Sequence, residues 1–166
     1  MDIIYKRRSI RKFTSQPVSK EMIESFIKAG MNAPSAGNEQ PWQFVVIDDR
    51  NIFNEIMKVH PHTEMLRTAA VAILVCGDLT LETHKGYWVQ DCSAATENIL
   101  LEIASQGLGA VWCGVHPREQ RVDGIRKLLS LPSHIIPFSL IPVGYPDEQK
   151  PPKNIFSRDR IHYNGW

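Results

Sequence analysis

Apolar residues recur along this chain with two periods, and the switches between them mark out its elements. Met22, Ile23, Phe26, Ile27 and Gly30 follow one another at spacings of one and three, the mark of a helix with one buried face. Ser19 stands where a hydroxyl caps its first turn, and Glu21 lies where the helix dipole favours a carboxylate. The same period returns from Arg50 to His60 through Ile52, Phe53, Ile56 and Met57, from Tyr87 to Gln106, and from Arg118 to Leu129. In the 87–106 segment Cys92, Ala95, Ile99 and Ile103 form a stripe that Leu100, Leu101 and Ala104 widen, and Gly107 and Gly109 stop it. A helix apolar over so much of its circumference is central to the core or shared with a second subunit.

Between these helices the pattern changes. Trp42 to Ile47 is short and rich in β-branched and aromatic residues, which predicts a strand. Ala69 to Cys76 is unbroken apolar sequence, a strand buried on both faces that ends at Gly77-Asp78. Ala110 to Val115 is strand-like, and Ile135 to Val143 is extended, with Pro137 and Pro142 pointing to an edge, bulged or irregular strand. Asp2 caps a first short helix expected to carry Ile3, Ile4 and the arginines after them, broken over Phe13 to Pro17. Past Gly144-Tyr-Pro146 the chain loses periodicity and carries Lys150, Lys153, Arg158 and Arg160 before Tyr163 and Trp166, so 146–166 reads as an arm that docks elsewhere, a partner chain being one such place, or as a loosely held tail.

Composition narrows the class. At 166 residues, with 43% hydrophobic and 22% charged content, the whole of 1–166 suits one globular domain. Nineteen basic residues against eighteen acidic give a net charge of +1, which weighs against a surface built for nucleic acid. Cys76, Cys92 and Cys113 form neither a CxxC pair nor a disulfide framework, so a reducing, cytoplasmic setting is expected. No signal-peptide core follows Met1 to Tyr5, and the longest apolar run is far short of the roughly 18 residues that span a bilayer, so no membrane segment is expected.

Against this balance the stretch Lys6-Arg-Arg-Ser-Ile-Arg-Lys-Phe13 stands out, with no carboxylate between Asp2 and Glu21. Arginine offers a planar fork of donors that fits phosphate oxygens two at a time, and Ser9 adds a hydroxyl. Read alone, the run is a solvated basic face before it is an anion site. A second unusual stretch is Asn32-Ala-Pro-Ser-Ala-Gly-Asn-Glu-Gln-Pro-Trp42. Its prolines stiffen it, Ala36 and Gly37 let backbone approach a flat object, and Asn38 and Gln40 bring donors and acceptors to a heterocycle's edge; it is equally an ordinary capped turn. Familiar constellations fail. Gly109 and Gly114 have P-loop spacing, but Val115-His116 replaces the Lys-Ser/Thr pair, and there is no GxGxxG or GxSxG. His60-Pro-His62 with Glu64 lacks further metal ligands and reads as a surface loop, and Cys113 in an apolar strand reads as core. What is left, anion-binding arginines and an amide-rich loop without an evident acid, base or metal, is what an enzyme offers when a cofactor carries the reaction. That cofactor needs a phosphate and a flat polar ring.

In this order and spacing Arg7-Arg-Ser-Ile-Arg-Lys-Phe13, Ala33-Pro-Ser-Ala-Gly-Asn-Glu-Gln-Pro-Trp42, Gly107-Leu-Gly-Ala-Val-Trp-Cys-Gly114 and Ile141-Pro-Val-Gly-Tyr-Pro146 resemble the flavin-dependent nitroreductase family, and the chain looks like a short member. The resemblance implies an α+β fold, a mixed sheet flanked by helices, and a homodimer with tightly but non-covalently bound FMN at its interface. It implies that Arg7, Arg8, Ser9 and Arg11 hold the phosphate and ribityl end, with Arg11 also near the ring's polar edge. Pro34, Ser35, Ala36, Asn38 and Gln40 would reach the ring from the other subunit, and Trp112, Cys113 and Gly114 would lie along it through backbone. Lys153 would supply a tail contact, alone or with Arg158, because Ile155 stands where the family often has arginine. NADH or NADPH would reduce the flavin, and an electron-poor small molecule such as a nitroaromatic or quinone would then be reduced at the same face, with no catalytic side chain. Two other readings remain: a flavin-binding sensor or carrier without turnover, and a nucleic-acid module with a basic arm, which the net charge disfavours.

Overall fold

The computed structural model describes residues 2–166. Its helices are α1 (Ile3–Lys6), α2 (Lys20–Met31), α3 (Arg50–Val59), α4 (Trp88–Ser105) and α5 (Glu119–Leu128), and its strands are β1 (Trp42–Ile47), β2 (Val71–Asp78), β3 (Gly109–Ala110), β4 (Cys113–Gly114) and β5 (Ile135–Gly144). Ser19 caps α2 through the Met22 N–H at 3.3 Å, as its sequence predicts, and Asp2 caps α1 through the Ile4 N–H at 3.2 Å. The helix at Asp2 is a single turn, however. It ends at Lys6, so the arginines are carried on extended backbone and not on the helix.

The strands run in the order β1-β2-β5-β3, with β4 also on β5. Every ladder between these strands is antiparallel, so the sheet expected to be mixed is an antiparallel one within the described residues, and the parallel pairing of Ser9 with Ala110 is an isolated bridge outside the strands. All eight residues of β2 are buried, as its unbroken apolar sequence requires. Its side chains alternate: Val71, Ile73 and Val75 pack with Phe26 of α2 and Ala95, Ile99 and Ile103 of α4, while Ala72, Leu74 and Cys76 pack with Phe53 and Ile56 of α3 and Val122 and Ile125 of α5. One sheet thus separates two helical layers, an α+β architecture.

Of two expectations about strands, one fails and the other holds in part. β5 lies inside the sheet rather than at an edge, between β2 on one side and β3 and β4 on the other. The 110–115 stretch is two short strands and not one: pairing with β5 runs Ala110↔Val143 and resumes at Cys113↔Leu140. Pro142 faces the gap, and having no N–H it cannot extend the ladder through Val111. Pro142 breaks the neighbouring strand and leaves β5 in place. The expected bulge is present, since β2–β5 register jumps from Val75↔Ser139 to Cys76↔Pro137 and passes over Phe138.

Candidate functional site

The arginine segment is held by residues between its charges. Ile10 and Phe13 are buried, at 8% and 4% exposure, and anchor extended backbone whose other side chains project outward. The Ile10 N–H donates to the Ala110 carbonyl at 2.9 Å, and a Cβ on Gly109 would lie 2.7 Å from Ile10, so only glycine lets this segment lie along β3. Phe13 bridges to Pro146, and the Asp147 N–H donates to the Lys12 carbonyl at 2.8 Å. The first part of the arm then folds back over the segment. Glu148 accepts the Arg11 N–H at 2.5 Å, Lys150 Nζ donates to the Ser9 carbonyl at 2.6 Å, and the Arg8 guanidinium donates to the Pro151 carbonyl. The Arg11 amide, and then Lys150, hold the Glu148 carboxyl below its ordinary range. Beyond Lys153 the arm carries exposed apolar groups, Ile155 at 81%, Phe156 at 71% and Tyr163 at 84%.

These contacts shape a cavity of about 710 Å³ lined by Arg7, Arg8, Ser9, Arg11, Lys150 and Lys153, with Ile4, Tyr5, Asn154, Ile155 and Phe156. Five cations and a hydroxyl converge on it, offset by Glu97, whose Oε1 lies 3.3 Å from Arg7 Nε. Lys6 and Lys12 are exposed and do not line it, and neither does Arg158. Lys150 is the cation that sequence reasoning passed over. Its signal was position, as the first basic residue after the Tyr145-Pro146 turn that bridges Phe13.

A second cavity, of about 480 Å³, shares Arg11 with the first and is lined by Val111, Trp112, Cys113 and Gly114, together with His60, His62, Glu64, Met65 and Arg121. The break between β3 and β4 therefore forms its wall. The expected surface loop holds for Pro61, His62 and Glu64, which are exposed, but not for His60, which is 1% exposed, with its Nε2 2.9 Å from the Gly114 carbonyl and its Nδ1 accepting the His62 N–H at 3.3 Å. Those partners fix the neutral tautomer with hydrogen on Nε2. Burial, then the charge of Arg121, hold its pKa below the ordinary imidazole value. Among the described residues no three His, Cys, Asp or Glu side chains group as metal ligands. Cys113 points its Sγ at the His62 carbonyl, 3.7 Å away, and at Met65 Sδ, and burial pushes the thiol up to about 11, so it sits in the wall as a protonated apolar group.

The Pro34–Gln40 loop lines neither cavity. Pro34, Ser35 and Ala36 face a third hollow of about 350 Å³ with Tyr87, Gln90, Asp91 and Ala94. The loop backbone is strained: Gly37, Asn38 and Gln40 all lie in the left-handed region, at φ 54°, 57° and 50°. Two carboxylates hold it. Asp91, in α4 and 4% exposed, accepts the Ala36 N–H at 2.9 Å, and Ser35 Oγ accepts the Gln40 N–H at 3.0 Å. Glu39 Oε1 accepts the Thr83 N–H at 2.9 Å and His84 Nδ1–H at 2.6 Å, as well as the Thr83 hydroxyl and His84 N–H. The Thr83 hydroxyl, then His84, bring the Glu39 carboxyl down to about 2. Gln40 Nε2 donates to Asn38 Oδ1 at 3.2 Å, leaving the Asn38 amide free to face outward.

The geometry thus joins Arg7, Arg8, Ser9, Arg11 and Lys153 to Trp112, Cys113 and Gly114 across two cavities, and keeps Pro34, Ser35, Ala36, Asn38 and Gln40 apart from them within one chain. The nitroreductase family model matches residues 4–59 and 55–145. A protein of Methanothermobacter thermautotrophicus that bears the provisional name NADH dehydrogenase/NAD(P)H nitroreductase is 50% identical over 166 residues, covering 100% of this chain and 87% of its own. A crystal structure of a Parabacteroides distasonis protein with the same provisional name superposes with a TM-score of 0.95 at 44% identity, over 99% of this chain and 96% of that one. An FMN-dependent nitroreductase from Clostridium difficile does so with a TM-score of 0.91 at 29% identity, over 99% and 98%. Among the described residues, no helix is long and apolar enough to cross a membrane.

Proposed function

We propose that this chain, which belongs to the nitroreductase family, is an NAD(P)H-dependent oxidoreductase that works as a cytoplasmic homodimer, with residues 1–166 forming one FMN-binding domain and 146–166 its arm. The observation that carries the reading is the pair of cavities meeting at Arg11. The first offers a phosphate what it needs: Arg7, Arg8, Arg11, Lys150 and Lys153 around the Ser9 hydroxyl. The second offers a flat polar ring a backbone wall at Trp112–Gly114 and a cation, Arg11, between ring and phosphate. The donor set fits FMN. When bound, FMN supplies the redox chemistry, taking two electrons from NAD(P)H and passing them to a small electron-poor acceptor such as a nitroaromatic or quinone.

The side chains bind, orient and bias charge. Arg11 and Arg121 present fixed positive charge to the second cavity, where negative charge develops as electrons arrive. No protonation step is assigned to a side chain: the Cys113 thiol titrates near 11, far from neutrality, and His60 spends both ring nitrogens on backbone. The second chain completes the site with Pro34, Ser35, Ala36, Asn38 and Gln40. Their separation from the cavities within one chain and the exposed apolar arm both support that reading.

The test is direct. Purified protein should carry flavin absorbance, gain thermal stability with added FMN, bleach on anaerobic addition of NADH or NADPH, recover colour with a quinone or nitroarene, and elute as a dimer. Colourless protein whose melting temperature ignores FMN overturns the proposal, and bound flavin that neither nucleotide bleaches replaces it with a carrier.

A further inference from the structure

We infer that His60 and Arg121 are positioning residues that clamp the Gly114 carbonyl and thereby set the electrostatic character of the flavin-facing wall; the inference rests on the flavin reading above. His60 Nε2–H and Arg121 Nη1–H both lie 2.9 Å from that one oxygen. A carbonyl has two lone pairs, and both are taken. The wall at Trp112–Gly114 therefore turns no free acceptor at Gly114 toward the cavity, and one of the two donors is a permanent cation.

Several features far apart in sequence converge to build the clamp. His60 is the C-cap of α3, and its ring is fixed from the other side by the His62 N–H on Nδ1. Arg121 lies in the first turn of α5, where the helix dipole disfavours a cation. A residue that breaks a local rule with no local gain marks a function elsewhere. The packing of α5 on α3 is close because position 124 is glycine: a Cβ there would meet Val59 at 3.0 Å. One turn from Arg121 and one residue from His60, that contact brings both donors to the same oxygen. The charged groups around the cavity are Arg11, Arg121 and Glu64, and Glu64 is paired with Arg67 Nε at 2.7 Å. The balance is positive.

A positive wall binds the electron-rich form of a flavin more tightly than the oxidised form, which raises its potential. The experiment measures the FMN dissociation constant and the midpoint potential of bound FMN for wild type, Arg121→Met, Arg121→Lys, His60→Leu and His60→Gln, with melting temperatures as a check on folding. Arg121 is half-buried at a helix start, so its variants are expected to fold. Arg121→Met should reduce the preference for the reduced form about tenfold, which for a two-electron couple is about 30 mV downward. Arg121→Lys should keep most of the potential. His60→Leu should weaken FMN binding about fivefold, and His60→Gln, which retains an N–H donor, should recover it. Folded Arg121→Met with wild-type potential overturns the inference, as do equal shifts in the Met and Lys variants, which would make the effect one of shape. A wild-type chain that takes up no FMN overturns the flavin reading and this inference with it, whereas wild-type binding with unmoved variants overturns the clamp alone.

Discussion

The arginine segment, Arg7–Phe13, and the amide loop, Pro34–Gln40, are both short irregular stretches, yet they are held mainly by different means. The first uses apolar anchors, Ile10 and Phe13, supplemented by Glu148 on the Arg11 N–H, and leaves its charges to face a cavity of its own chain. The second uses buried carboxylates, Asp91 and Glu39, to hold three residues in a left-handed backbone conformation that faces away from that cavity. Burial of apolar surface is indifferent to what the neighbouring side chains do, so cations can alternate with anchors. A strained loop gains nothing from burial and needs directed hydrogen bonds on its own N–H groups. A charged site can thus be read as a sequence pattern, while a backbone site is held by residues far from it in sequence.

That contrast can be tested at both ends. The largest effect should come from Arg11→Ala, since among the described residues Arg11 alone lines both cavities. Losing a charge-assisted contact costs about 1.5–3 kcal/mol, so FMN affinity measured by fluorescence titration should fall roughly 10- to 150-fold, with little change in the apo melting temperature. Gly37→Ala should do the reverse. A Cβ there meets the His84 ring at 2.6 Å and sits at positive φ, a strain of about 1–2 kcal/mol or more. The melting temperature should drop by several degrees and FMN binding should weaken only as far as dimerisation does. Equal losses of apo stability in both variants would erase the distinction.

Acid should weaken the hold on the loop. Glu39, held near 2 by Thr83 and His84, lies below its ordinary 4.5, so its stabilisation is complete above about pH 4.5 and is lost as pH falls toward 2. Asp91 has the opposite sign: burial raises its pKa, so its carboxylate form weighs against the fold as pH rises through the ordinary carboxyl range. Glu39→Gln should flatten the acid limb of the melting profile, and Asp91→Asn, which keeps an acceptor for the Ala36 N–H, should raise the melting temperature slightly at neutral pH. The smallest effect is expected from Cys113→Ala, which removes a protonated thiol from the wall and should leave turnover with a quinone nearly unchanged.

Helix periods, the Ser19 cap and the doubly buried strand were legible in sequence to within one or two residues because local pattern and final burial agree there. Pro137 and Pro142 were the right residues to notice, but a missing N–H says only that a ladder breaks, and which neighbour loses it depends on strand order. His60 was misread because its partner, the Gly114 carbonyl, lies 54 residues away and carries no side-chain signal.

By itself, then, the sequence determined the helices, the strand buried on both faces, the basic segment and the amide loop, since each is written in neighbouring residues through periodicity, charge or turn chemistry. Only the tertiary structure decided that β5 is interior, that Lys150 joins the arginines, that the amide loop turns from its own chain's cavities, and that His60 and Arg121 meet on one oxygen. Those are outcomes of strand order and helix packing, where the groups that meet are brought together by the burial of other residues.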